Sequence, residues 1–148
     1  MPGFLFDTNL WIAIAFDRHG SHAKAIEVLA ETSDMHPAYF CRSTEQSVLR
    51  LLSTASLSQL YGSSMISNHE AIGLLQLWRS EPRVAFLEEP ADTRALWLIL
   101  SDRPVASPKL WMDAYLAALA ISANLRFVTL DQAFRQFEPH GLDLHLLL

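Results

Sequence analysis

At 148 residues the chain suits one domain and leaves little room for a second independent core. Hydrophobic residues make up 51%, which excludes a disordered segment, and no apolar run reaches the ~18–20 residues that would span a bilayer. The formal net charge is −5, from 11 Lys+Arg against 16 Asp+Glu, a balance that by itself argues against a nucleic-acid ligand.

Phe4-Leu5-Phe6 reads as a short strand that ends at Asp7. Leu10, Ile14 and their apolar neighbours mark a helix, broken at Gly20-Ser21. Ser21 is placed to cap a second helix with Ile26, Leu29 and Ala30 on one face. Residues 37–41, PAYFC, read as a second strand. Ser43 with Gln46 three residues on makes a capping-box pattern for a helix carrying Val48, Leu49, Leu51 and Leu52. Ser67 or Asn68 caps the next helix, residues 84–87 form a strand, and residues 91–100 form an amphipathic helix. Ser107-Pro108 opens a long alanine-rich helix, with proline in the first turn that tolerates it and Asn124 suited to the far end. Residues 127–130 form a strand ending at Asp131, and residues 143–147 a last apolar strand. Short strands alternating with helices imply an α/β fold, a short parallel sheet flanked by helices in one domain over residues 1–148.

In such a sheet, sites form beyond the carboxyl ends of the strands. Asp7 and Asp131 each follow a strand, and Glu45 lies in the first turn of a helix that follows one. Asp113 lies near the start of the helix leading into the strand before Asp131. All four therefore map to one edge. Four neighbouring carboxylates repel one another, and a hard divalent cation such as Mg²⁺ or Mn²⁺ relieves the conflict. Such an ion would activate water and stabilise charge on a phosphate. Taken singly, each acid has a plainer role: Asp7 and Asp131 as helix caps, Glu45 as a dipole partner, Asp113 as solvated surface.

FDTNLWIA, STEQSVLRLLS, LWMDAYLAALA and FVTLDQAF occur in the order of the motifs of a PIN domain. Across nearly the whole chain the sequence resembles VapC-type toxins, the ribonuclease halves of bacterial toxin–antitoxin modules. The resemblance implies a PIN-like three-layer sandwich. It implies that Asp7, Glu45, Asp113 and Asp131 are the catalytic acids, with Asp7, Asp113 and Asp131 as metal ligands and Glu45 either a ligand or the group that orients the attacking water. Asn9 and Thr129 match supporting polar positions. The implied activity is metal-dependent hydrolysis of structured RNA, tRNA or rRNA, with Mg²⁺ or Mn²⁺ as cofactor. The implied partners are a cognate VapB-type antitoxin and a second copy of the chain, with no membrane association. The N-terminus MPGFLFDTNL lacks the features of a signal peptide, so a cytoplasmic location is expected.

The single cysteine, Cys41, excludes an internal disulfide and Cys-based zinc motifs, and in AYFC it reads as a small buried hydrophobe. His19 and His22 are close in sequence but have no third soft ligand nearby; His22 is expected to pack near the start of the second helix. Arg42 is the first candidate for an RNA phosphate contact, ahead of Arg50, Arg126 and Arg135. Trp11 and Trp111 are expected to line the groove or meet the antitoxin, and Ala117–Ala120 to suit a dimer seam. A phosphoacceptor receiver needs paired acids after the first strand and a late lysine; here Phe6 precedes Asp7 and no lysine follows FVTL. A haloacid-dehalogenase-like phosphatase needs Asp-x-Asp, and the second position here is Asn9. A PIN nuclease outside toxin–antitoxin modules, or a catalytically silent PIN interaction module, remain the alternatives.

Overall fold

The structure, a computed structural model, describes residues 3–148. Five strands form one sheet in the order β3-β2-β1-β4-β5: β1 (Phe4–Phe6), β2 (Ala38–Phe40), β3 (Val84–Phe86), β4 (Arg126–Thr129) and β5 (Asp143–Leu146). Every neighbouring pair is parallel, with Leu5 opposite Tyr39 and Phe127, and Phe127 opposite Leu144. The expected α/β sheet is present, with strand ends moved by one residue at several places.

Side chains alternate across these strands, because a strand has a period of two. Phe4, Phe6, Ala38, Phe40, Val84 and Val128 pack on one face in a cluster with residues of α1 (Thr8–Ala15), α2 (His22–Ala30), α3 (Arg42–Leu52) and α5 (Asn68–Arg79). Leu5 and Phe127 pack on the other face with α7 (Leu110–Ser122) and the 3-10 segment Gln132–His140; Tyr39 packs against that cluster, as do Leu96 and Trp97 of α6 (Thr93–Ser101). The result is three layers with the sheet in the middle. A short α4 (Ala55–Leu60) and the 3-10 segment were not foreseen from periodicity; α4 has only six residues, and the 3-10 segment turns every three residues rather than every 3.6.

Several local expectations change. The third helix begins at Arg42, not after Ser43: Cys41 is its N-cap, and the Thr44 hydroxyl accepts from the Cys41 N–H at 2.9 Å. Ser67, with Glu70, makes the reciprocal cap of α5. Pro108 precedes α7, which starts at Leu110, and Asn124 follows it in the left-handed conformation with φ 55°. Trp11 lies in the core, stacked 3.9 Å from the Phe40 ring, and so does not line a groove. Its helix reads NLWIAIA, apolar on every side, which is the pattern of a buried helix. Ala117, Ala118 and Ala120 are fully buried under the sheet, so that stretch serves close packing within the chain and not a seam between two copies. Cys41 is buried, as a small hydrophobe would be. Among the described residues, no helix is long and apolar enough to cross a membrane.

Candidate active site

Strand order reverses between β1 and β4, which lead outward to opposite edges of the sheet. Beyond the carboxyl ends of strands at such a switch point the chains diverge and leave a crevice. Asp7 directly follows β1, and Asp131 lies two residues beyond the end of β4. Their positions are fixed by backbone pairing, with the Asp7 N–H donating to the Val128 carbonyl at 2.9 Å. Asp113, in the first turn of α7, is the third wall of a cavity of about 570 Å³ lined by all three aspartates.

Asp7 is 8% exposed, and both of its carboxylate oxygens accept hydrogen bonds, with one lone-pair site of Oδ1 left over. As N-cap of α1 its Oδ1 accepts from the Thr8 N–H at 2.8 Å. Its Oδ2 accepts from the Thr129 hydroxyl at 2.7 Å and from the Asn9 amide at 3.2 Å. Asn9 also donates to Thr129 Oγ1 and accepts from the Leu130 N–H, both at 3.2 Å. Thr129 Oγ1 in turn accepts from the Asp131 N–H at 3.0 Å. Thr129 and Asn9 thus tie the ends of β1 and β4 together and hold Asp7 in one orientation. Asp131 caps the 3-10 segment, its Oδ1 accepting from the Ala133 N–H at 2.9 Å.

Burial pushes the Asp7 carboxyl up from 3.8 to about 6; the hydrogen bonds from Thr129 and Thr8 pull it down, and the charges of Asp113 and Asp131 push it up further. Asp113 is also raised, first by partial burial and then by the charge of Asp131. Asp7 therefore senses both other aspartates, and Asp113 senses Asp131. As placed, no three His, Cys, Asp or Glu side chains among the described residues are gathered closely enough to hold one ion together. A hard divalent cation does not need that many: Mg²⁺ is commonly held by one or two carboxylates and keeps several waters. An all-oxygen donor set in which the Asp131 charge raises both Asp7 and Asp113 fits such an ion, with Asp7, Asp113 and Asp131 as the residues to hold it.

Glu45 is placed elsewhere. It does not line the cavity; it is 7% exposed and lies between two arginines, Arg42 at 2.8 Å and Arg79 at 3.3 Å. The phase of α3 about its axis is the reason. At ~100° per residue, Glu45 is turned about 200° from Ser43, and the face that meets the cavity is Ser43, Ser47 and Arg50, spaced i, i+4, i+7. Arg42, expected to reach RNA directly, is bound to Glu45 while its side chain stays 74% exposed. The cations that do line the cavity are Arg50 and Lys109. Lys109, just before α7, was not singled out from sequence; its place four residues before Asp113 is the signal that could have found it.

His19 also lines the cavity, but its Nδ1 accepts from the Ser21 N–H at 3.0 Å, and burial, followed by the nearby His22, lowers its pKa. His22 Nδ1 pairs with the Ala13 carbonyl at 2.7 Å, so this ring braces α2 against α1. Trp111 is 51% exposed and edge-on to Trp97, whose indole N–H donates to the Trp111 carbonyl at 2.8 Å.

The PIN domain family model matches residues 4–138. The chain is 37% identical over 144 residues to Ribonuclease VapC41 of Mycobacterium tuberculosis, covering 97% of each chain. Its fold is similar to that of the crystal structure of VapBC2 from Rickettsia felis bound to a DNA fragment from their promoter. That similarity has a TM-score of 0.64 at 14% identity, covering 98% of both chains. It is also similar to Mycobacterium tuberculosis VapC20, a Sarcin-Ricin loop cleaving toxin, with a TM-score of 0.60 at 17% identity, covering 95% of this chain and 96% of that one. The chain belongs to the PIN domain family.

Proposed function

We propose that this PIN-domain protein is a Mg²⁺- or Mn²⁺-dependent endoribonuclease, the toxin of a type II toxin–antitoxin pair, with Asp7, Asp113 and Asp131 as its catalytic and metal-holding acids. The observation that carries the reading is the meeting of these three aspartates in one cavity at the sheet's switch point. Kinship with a ribonuclease over 97% of the chain supports RNA as the substrate. A bound divalent ion would supply water activation and charge stabilisation on the phosphate.

The chain's own residues supply the rest. Asn9 and Thr129 lock Asp7 so that its carboxylate faces the cavity in one geometry. Asp113, in its first helical turn, and Asp131, with one oxygen engaged by Ala133, can hydrogen-bond a water and aim it at phosphorus. Arg50 and Lys109 answer the net charge of −5 locally, because they place two cations in the same cavity for the phosphates on either side of the scissile bond. Attack by water on phosphorus forms one P–O bond and breaks another, and the leaving oxygen ends protonated. We assign the partners as a VapB-type antitoxin and a second copy of this chain, and the unit as a single domain. A similar fold in the VapC20 toxin and in a VapBC complex supports that assignment.

Induced expression in a bacterial host tests the reading. The wild-type chain is expected to arrest growth and to generate new 5′ ends at a small set of tRNA or rRNA positions. The Asp113→Asn chain, made at the same level, is expected to do neither. Arrest by both chains would refute catalysis by these acids. Cleavage without arrest would favour a PIN nuclease of RNA processing over a toxin.

A further inference from the structure

Glu45 has both carboxylate oxygens occupied: Arg42 Nη1 donates to Oε1 at 2.8 Å and Arg79 Nη1 to Oε2 at 3.3 Å. The same two guanidinium groups lie over the Phe86 ring, 4.9 and 5.3 Å from its centroid. The cluster joins the first turn of α3, the last turn of α5 and the last residue of β3. It therefore stands at the carboxyl edge of the sheet, the edge that carries Asp7 and Asp131.

Two guanidinium groups against one carboxylate leave a net positive charge. Each arginine has five N–H donors in a rigid fork, and Glu45 uses only part of them. Arg42 and Arg79 keep 74% and 36% of their side chains exposed, so the remaining donors meet water. A free arginine loses side-chain entropy when it binds; these two are already held by a carboxylate and a ring, so less is lost on contact. Pinned cations with spare forked donors suit phosphate oxygens. The same helix leads from this cluster to the acid cavity, because Ser43, Ser47 and Arg50 form its other face.

We infer that Glu45 in this chain is not a metal ligand but a positioning residue, holding Arg42 and Arg79 against Phe86 as a paired contact for an RNA backbone phosphate beside the acid cavity. This rests on the ribonuclease reading above.

Two measurements with the full chain test it. In the first, Mn²⁺ affinity is read by calorimetry. Glu45→Gln is expected to match wild type, while Asp113→Asn loses at least about tenfold. In the second, a fluorescein-labelled RNA hairpin is titrated in EDTA, where no cleavage occurs. Arg42→Ala and Arg79→Ala are each expected to weaken binding about tenfold, the size of one charge-assisted contact. Arg42→Lys does not restore it, since an ammonium lacks the fork. Arg42→Ala costs less in the Glu45→Gln background than alone, because the two act as a unit. In Mn²⁺, Glu45→Gln raises KM for the hairpin far more than it lowers kcat. Arg42 is on the surface, so its variants keep the test valid should Glu45→Gln fold poorly. Loss of Mn²⁺ affinity in Glu45→Gln equal to that of Asp113→Asn would overturn the inference. So would wild-type RNA affinity in both arginine variants. If wild type cleaves RNA while those variants bind it normally, the inference falls and the ribonuclease reading stands. If wild type neither binds nor cleaves RNA, both fall.

Discussion

Replacing Asp7 with asparagine is expected to destroy activity and yet stabilise the metal-free protein. Burial raises the Asp7 carboxyl from 3.8 to about 6, so in the folded chain its charged form is disfavoured. Below pH 3.8 both folded and unfolded chains carry the proton, and no cost arises. As pH rises from there, the unfolded chain gives up a proton that the folded chain keeps, so stability falls with pH and levels off above 6. A shift of about two pH units at ~1.36 kcal/mol each sets the full cost near 3 kcal/mol. Asparagine removes that cost; with its carbonyl oxygen kept at the Oδ2 position, its NH₂ faces the Thr8 N–H, losing one hydrogen bond of ~1 kcal/mol. The net gain is about 2 kcal/mol, or roughly 4–8 °C in Tm for a chain of this size. The assay is thermal melting followed by circular dichroism, in EDTA. At pH 7.5 Asp7→Asn is expected to melt above wild type, and the gap is expected to shrink by roughly two thirds at pH 5, where folded Asp7 is largely protonated. A mutant that melts below wild type at pH 7.5, or an equal gap at both pH values, would refute a buried, strained charge.

The other expectations follow from the same geometry. Thr129→Val removes the hydroxyl that bridges Asp7 and the Asp131 N–H; RNA cleavage in Mn²⁺ is expected to drop ~10–100-fold with the protein still folded, and an unchanged rate would show that the bridge is dispensable. Lys109→Ala and Arg50→Ala are expected to weaken hairpin binding and each to reduce its dependence on salt by about one unit of slope, measured by titration between low and moderate ionic strength. Trp11→Ala empties a fully buried site stacked on Phe40 and is expected to cost about 3–5 kcal/mol in chemical denaturation. Trp111→Ala, half exposed on α7, is expected to stay within ~0.5 kcal/mol.

The strands were legible because each is a short apolar run with an acid or turn residue at its end, and that same reading placed Asp7 and Asp131 at one edge. What it could not supply was rotation about a helix axis. Whether α3 starts at Arg42 or after Ser43 depends on a single hydroxyl, Thr44 reaching back to Cys41, and Ser43 with Gln46 mimics the same cap one turn-fraction later. The phase of α3, whichever residue opens it, sends Glu45 to the arginines and turns Ser43, Ser47 and Arg50 toward the aspartates. The partners of Glu45 are 34 residues away in the case of Arg79, a distance across which periodicity carries no information. Trp11 was misplaced for a related reason: nearness in sequence to Asp7 says nothing about which side of α1 faces the crevice. Its helix is apolar all round, and that pattern, given more weight, points to the core. Lys109 and His19 come to the cavity from loops, where neither hydrophobic period nor capping chemistry signals direction.

The central claim is that three aspartates at the switch point between β1 and β4 use a divalent ion to hydrolyse RNA. It is tested most directly by incubating the purified chain with bulk tRNA and ribosomal RNA in Mn²⁺, in Mn²⁺ with excess EDTA, and with Asp113→Asn in place of wild type. Site-specific cleavage only by wild type with free Mn²⁺ is the expected result. Cleavage that persists in EDTA, or in Asp113→Asn, would contradict it.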